Sequence, residues 1–260
     1  MIDMKKLCLI PIAIFLLLAC ASVASARSMI MVAGQGTETV NECAGYLVCQ
    51  NFEGTGYDNS ETWTEDTEGA CTGCVMNEDY TTVHLRGDQS MLMTSGDAPS
   101  WSVTDFAAQS GVYGFVRLRV TNMPDIDNSD IVTVLSDYSG GAPTTVIAAN
   151  IYANGNVRLS HLNADTELLT YCDTGAGTIA INTTYYVWWY GAKGTGSNGV
   201  AWVKFATTNE EPVSPACSVT DGKGIGNIIH AQVSTRHDSA YSFVTDQYLI
   251  KTSAIGSVPE

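Results

Sequence analysis

Tyr185 to Phe205 reads YYVWWYGAKGTGSNGVAWVKF, and the architecture turns on whether its centre is a nucleotide-binding loop or a hairpin. GTGSNG, Gly194 to Gly199, satisfies the G-x-G-x-x-G pattern of dinucleotide-binding loops. That pattern holds a pyrophosphate when a strand precedes it and a helix follows, because the helix N-terminus supplies the amides and the positive dipole end. Here an aromatic and β-branched run stands before the loop (Tyr185 to Tyr190). Another stands after it (Val200 to Phe205), and neither has the apolar spacing of a helix. The stretch is strand, loop, strand, its Gly, Ser and Asn residues making a hairpin connection. Tyr186, Trp188 and Tyr190 share one face and Val187 and Trp189 the other, so both faces are apolar and the strand is predicted to be central.

The rest of the chain follows the same period. From Tyr46 onward, short strand-like runs alternate with turn signals: 47–53, 81–87, 89–95, 101–108, 111–121, 130–137, 144–153, 156–162, 167–172, 184–192, 199–207, 228–235 and 241–252. No long amphipathic helix and no fixed repeat intervenes, and this many short strands predict an all-β, two-sheet antiparallel sandwich. In GVYGFVRLRV, residues 111–120, Val112, Val116, Leu118 and Val120 form a core face, and Tyr113, Phe115, Arg117 and Arg119 the opposite one. In IIHAQVSTR, residues 228–236, Ile229, Ala231 and Val233 oppose His230, Gln232, Ser234 and Arg236.

Lys5 and Lys6, the apolar run Leu7 to Leu18 and the small residues Ala24-Ser25-Ala26 make residues 1–26 a secretory signal peptide. The run is short for a membrane span. A competing reading takes Leu17-Leu18-Ala19-Cys20 as a lipoprotein box with a lipid anchor on Cys20. Residues 27–44 read as a linker and 45–260 as one domain. Both readings place the chain outside the cytoplasm, in the periplasm, at the cell surface or secreted. Of 12 Lys plus Arg and 27 Asp plus Glu, removing Lys5, Lys6 and Asp3 leaves 10 against 26, a net charge of −16. A surface so acidic repels nucleic acid and polyanions, which leaves neutral glycans, cations or metal ions as partners.

Cys43, Cys49, Cys71, Cys74, Cys172 and Cys217 form an even set beyond the leader, so disulfides are expected. The preferred pairing is Cys43–Cys49, Cys71–Cys74 and Cys172–Cys217, other pairings remaining open.

LVCQNFEG, VHLRGDQSMLMT, the YYVWWYGAKGTGSNGVAWVKF hairpin and FVTDQYLIKTSAIG together resemble the concanavalin A-like lectin/glucanase superfamily, the laminin-G-like jelly rolls of bacterial and phage surface proteins. The resemblance spans about residues 45–256. It implies a jelly roll whose first and last strands are neighbours, setting Phe52-Glu53 near Thr245-Asp246. It also implies a structural calcium held by Glu53 and Asp246, with carbonyl oxygens completing the shell of about six to eight ligands. The E-x-D-x-x-E pattern of the family's glycosidases, which places the two carboxylates that chemistry requires on one strand face, is absent. Glu61, Glu65, Asp66 and Glu68 lie in a stretch that reads as an acidic turn. A polysaccharide lyase would draw on Arg117, Arg119, His230, Gln232 and Tyr113, but VRLRV and IIHAQV do not match the lyase motifs, and the acidic chain would meet a polyanion. The expected activity is therefore non-catalytic carbohydrate recognition, with a structural or adhesive surface protein as the alternative. The candidate contact residues are Tyr113, Arg117, Arg119, Trp101, Trp189, His230 and Gln232, with Trp63 as a further stacking aromatic.

Overall fold

The computed structural model describes residues 43–258 apart from 51, 53–63, 68–74, 97–99, 126–129, 138–142 and 236–240; for 64–67, 75–79, 100–103 and 130–134 it describes the backbone alone. Fifteen strands are found among the described residues, in two antiparallel sheets, as the alternating pattern predicts. The larger runs, from edge to edge, β13 (Cys217–Gly222), β12 (Gly199–Ala206), β11 (Thr184–Ala192), β6 (Gly111–Asn122), β15 (Ser242–Lys251), β4 (Ser90–Thr94) and β3 (Val75–Tyr80). The short β1 (Val48–Gln50) also pairs with β15. The smaller sheet runs β10 (Leu168–Asp173), β9 (Val157–Asn163), β8 (Val146–Ile151), β7 (Asp130–Ser136), β14 (Ile228–Thr235), β5 (Ser100–Gln109) and β2 (Thr64–Thr67). The first and last strands are neighbours, with Cys49 opposite Leu249.

Between the sheets lies one core, built from alternate residues of each strand: Val112, Val116, Leu118 and Val120 from β6, Leu159 from β9, Ala231 and Val233 from β14. β11 is central, paired with β6 on one side and β12 on the other. Trp189 points into this core, where Gly114 lies across from it. A Cβ on Gly114 would fall within 1.7 Å of the indole, so the glycine is what lets the ring lie flat on β6.

Three segments depart from the expected pattern. TTVHLRG alternates like a strand, but residues 81–89 form a loop folded over the larger sheet, fixed by bonds described below. The acidic Thr64–Thr67 is a short edge strand rather than a turn, paired with β5. On β14 the register shifts between Ile228 and His230, and Ile228, not Ile229, enters the core. The strands β3 and β13 carry polar, edge-type sequences whose alternation is too weak to read alone.

Two disulfides match the preferred pairing. Cys43–Cys49 ties the entering chain to β1, and Cys172–Cys217, with Cα atoms 5.8 Å apart, joins edge strands of the two sheets. Cys71 and Cys74 lie outside the described residues.

Candidate functional site

The outer face of the larger sheet is where aromatic and polar groups gather. Cross-strand partners share a face, so the register fixes three rows on the side of β6 away from the core. The first row is Lys251, Tyr113, Tyr190 and Trp202. Next comes Leu249, Phe115, Trp188 and Lys204, and then Asp246, Arg117, Tyr186 and Ala206.

The middle row is not open. Phe115, Trp188 and Leu249 are buried with Val258 in a second apolar cluster, which Cys43, Tyr46 and Ile255 flank. The Trp188 indole N–H donates to the Gly256 carbonyl at 2.8 Å, and Asn209 exchanges bonds with Val258. The segment after β15 thus lies over the centre of the face.

On one side of it, the first row stays partly open to solvent. Tyr113 and Tyr190 have ring centroids 4.5 Å apart, and Trp202 lies 6.0 Å from the first and 5.9 Å from the second. All three are half-buried. Lys204 Nζ sits 4.7 Å from the Trp202 ring and is paired with Glu211 at 2.7 Å; Lys251 Nζ sits 5.0 Å from the Tyr46 ring. Burial and the neighbouring Tyr113 push the Tyr190 phenol up, keeping it a neutral hydrogen-bonding group.

On the other side, the third row is closed by the 81–89 loop. Asp246 is fully buried and accepts from the Ser90 hydroxyl at 2.9 Å, the Arg86 amide at 2.9 Å and the Gln247 amide at 2.6 Å. Arg117 is also buried; its Nε donates to Gln247 Oε1 at 2.9 Å and its Nη1 to the Leu85 carbonyl at 3.3 Å, and its guanidinium lies 4.9 Å from the Tyr186 ring. A bulge on β15 makes this possible: the register slips between Asp246 and Leu249, and Gln247 adopts a left-handed φ of 51°. Burial pushes Asp246 up to about 7, against the Ser90, Gln247 and Arg86 hydrogen bonds and the Arg117 charge, which pull it down.

The expected contact residues are therefore dispersed. Tyr113, Arg117 and Arg119 share the outer face of the larger sheet, Arg119 half-buried. His230 and Gln232 lie on the outer face of the smaller sheet, opposite the core-facing Ala231 and Val233, with His230 Nδ1 2.7 Å from Asp105 Oδ1. Two sheets separate the groups, so they do not form one site. Trp189 is a core residue whose ring packs 6.2 Å from Tyr248, which corrects its placement among surface contacts. Trp63 lies outside the described residues, as does the side chain of Trp101. Glu53 is outside them too, and among the described residues no three His, Cys, Asp or Glu side chains converge as a metal would need. The sequence pattern places Tyr190 on a central strand that is apolar on both faces and does not single out Trp202; the cue to both is that Trp202 pairs with Tyr190 once the hairpin register is drawn.

No protein-family model matches the chain, and no curated protein matches it. Among solved structures it is similar to endo-β-1,4-glucuronan lyase from the fungus Trichoderma reesei, with a TM-score of 0.52 and 10% identity, covering 80% of this chain and 96% of that one. It is also similar to botulinum neurotoxin type C, whose cell entry is described as dependent on two ganglioside molecules, with a TM-score of 0.52 and 8% identity, covering 85% of this chain and 50% of that one. A third is the binding domain of botulinum neurotoxin DC in complex with SialylT, with a TM-score of 0.50 and 10% identity over 84% of this chain and 50% of that one. The chain thus spans about half of each neurotoxin chain. At these identities the likeness is one of fold, and it agrees with a concanavalin A-like sandwich.

Proposed function

We propose that this chain is an exported, non-catalytic carbohydrate-binding domain that holds a neutral glycan on the outer face of its larger sheet. The observation that carries this reading is the half-open cluster of Tyr113, Tyr190 and Trp202. Aromatic faces edged by a few fixed polar groups suit the C–H faces of sugar rings, and Lys204 and Lys251 edge this cluster. Similar folds that act on glucuronan or interact with gangliosides fit the reading without carrying it. The described carboxylates of this face speak against hydrolysis. Asp246 is buried and Glu211 is engaged by Lys204, so neither is placed to flank a glycosidic bond. Export is supported by the two disulfides, and among the described residues no helix is long and apolar enough to cross a membrane.

The test is a glycan array with the domain from residue 27, run with calcium and again with a chelator, followed by titration of the best ligand with Trp202→Ala and Tyr113→Ala. Each substitution is expected to weaken binding at least tenfold, about 1.4 kcal/mol, while thermal unfolding stays cooperative. A blank array in both conditions would replace this reading with that of an adhesive scaffold. Loss of binding in chelator alone would support the calcium expected at Glu53 and Asp246.

A further inference from the structure

His161 stands on β9, facing inward from the smaller sheet, and is fully buried. Its ring reaches the end of the larger sheet. Nε2 lies 2.8 Å from the carbonyl oxygen of Ala192, where β11 ends, and the Gly224 amide donates to Nδ1 at 3.1 Å. A carbonyl can only accept and an amide N–H can only donate, so Nε2 carries the hydrogen and Nδ1 is bare. The bond to Nδ1 requires the neutral ring, whereas an imidazolium still donates from Nε2 to Ala192.

The surroundings are shaped to that ring. A Cβ on Gly199 would fall 2.5 Å from Nε2, and one on Gly222 2.4 Å from ring carbons, so two glycines clasp the imidazole. The clasped segments also hold each other through the Gly194 amide, which donates to the Gly224 carbonyl at 2.7 Å, and the Gly226 amide donates to Thr145 Oγ1, just ahead of β8, at 2.6 Å. Charged residues on the packed elements are Lys193 in the hairpin, Lys204 on β12, which is paired with Glu211, Asp221 and Lys223 beside Gly222, and Asp173 on β10, which is paired with Arg158. Strand β8 contributes none. No carboxylate among the described residues lies within ion-pair distance of the ring, so an imidazolium there would be both buried and unpaired. Burial accordingly pulls His161 below its ordinary value, against the Ala192 bond.

We propose that His161 is a proton-operated latch: neutral, it pins the β11–β12 loop to the β13–β14 connection; protonated, it keeps its Nε2–H bond to Ala192 but sets an N–H on Nδ1 against the Gly224 amide, and so releases the β13–β14 connection from the loop. β11 and β12 carry Tyr190 and Trp202, so release loosens the end of the aromatic cluster and lowers its affinity in acid. That regulatory half rests on the glycan-binding reading; the latch itself does not.

The experiment is amide exchange by NMR on the wild-type chain between about pH 7.5 and about pH 4.5, with the ring nitrogens of His161 observed in parallel. The ring is expected to be the Nε2–H tautomer at neutral pH. Protection at Gly194 and Gly224 is expected to fall by up to about tenfold per pH unit below about 6.5, while Val244 and Leu249 on β15 keep theirs. A His161 that titrates at its ordinary value while both glycine amides stay protected would overturn the latch. So would an equal loss across all strands, which is global acid unfolding. Glycan affinity across the same range decides the regulatory half: affinity falling in step with Gly194 exposure supports it. Unchanged affinity, or no binding at any pH, overturns that half and leaves the latch to the exchange data.

Discussion

Asp246 and His161 are both buried in this sandwich, and they answer to pH in opposite senses. Asp246 is held in the fold at about 7, above its ordinary 3.8, so folding favours the protonated acid. Its contribution to stability is present in full below about pH 4 and is lost as pH rises through about 7. The lowered His161 contributes above its ordinary 6.5 and loses that contribution as pH falls below it. The wild-type profile mixes the two, so the informative quantity is a variant difference. Asp246→Asn is expected to gain on the wild type between about pH 4 and about pH 7 by up to about 1.4 kcal/mol per pH unit, measured by urea unfolding at each pH. A difference that does not change with pH would mean the carboxylate stays charged throughout, with the Arg117 charge outweighing its burial.

At the scale of elements, the GTGSNG loop has a structural explanation for its glycines and asparagine. Asn198 Oδ1 accepts from the Thr195 amide at 2.7 Å, closing the loop from inside, and Gly194 packs beside Gly199 and bonds to Gly224. No helix follows it, so the anion site its pattern suggests is not built. The edges of the sandwich depend on a different device. β10 and β13 are edge strands of different sheets, and the Cys172–Cys217 bridge draws them together. Replacing both cysteines by alanine is expected to cost about 2–4 kcal/mol in chemical denaturation and to raise proteolysis in residues 207–227 before other segments. Equal stability with and without the bridge would show that the paired strands alone hold this side closed.

For the molecule as a whole, the two outer faces are separate surfaces with different chemistry. One carries the half-open aromatics and two lysines; the other carries His230 bonded to Asp105, Gln232 and the exposed Leu169 and Tyr171 at its edge. If the aromatic face binds glycan, His230→Ala and Gln232→Ala should leave the affinity within about twofold of wild type, because the core lies between them and Tyr113. Loss of binding in these variants by titration, with Trp202→Ala unaffected, would move the site to the smaller sheet. The formal net charge of −15 acts over distances that salt screens within about 8 Å, so it tunes encounter with charged polymers more than the contact itself.

The period-two pattern of Val112, Val116, Leu118 and Val120 and the hairpin around Gly194–Gly199 were sufficient to read an all-β sandwich, while the spacing of the cysteines favoured two of its disulfides and left other pairings open. Such features are local, because side-chain direction in a strand follows from parity and turn residues announce themselves. Parity also separates the faces of one strand, which is why Tyr113 was legible as an outward aromatic. It cannot say which sheet a strand joins, and so Tyr113 and His230 looked like members of one site when they stand on opposite sides of the molecule. Nor could it tell that 81–89 leaves strand geometry, since that outcome depends on Asp246 and Arg117, distant in sequence, offering bonds that a ladder would otherwise supply. Which aromatic stays open and which is covered was likewise decided in three dimensions. Trp188 and Trp202 sit on the same face with the same parity, yet the segment after β15, bonded to the Trp188 indole through the Gly256 carbonyl, makes the first a core residue while Trp202 stays half-buried at the edge of that cluster.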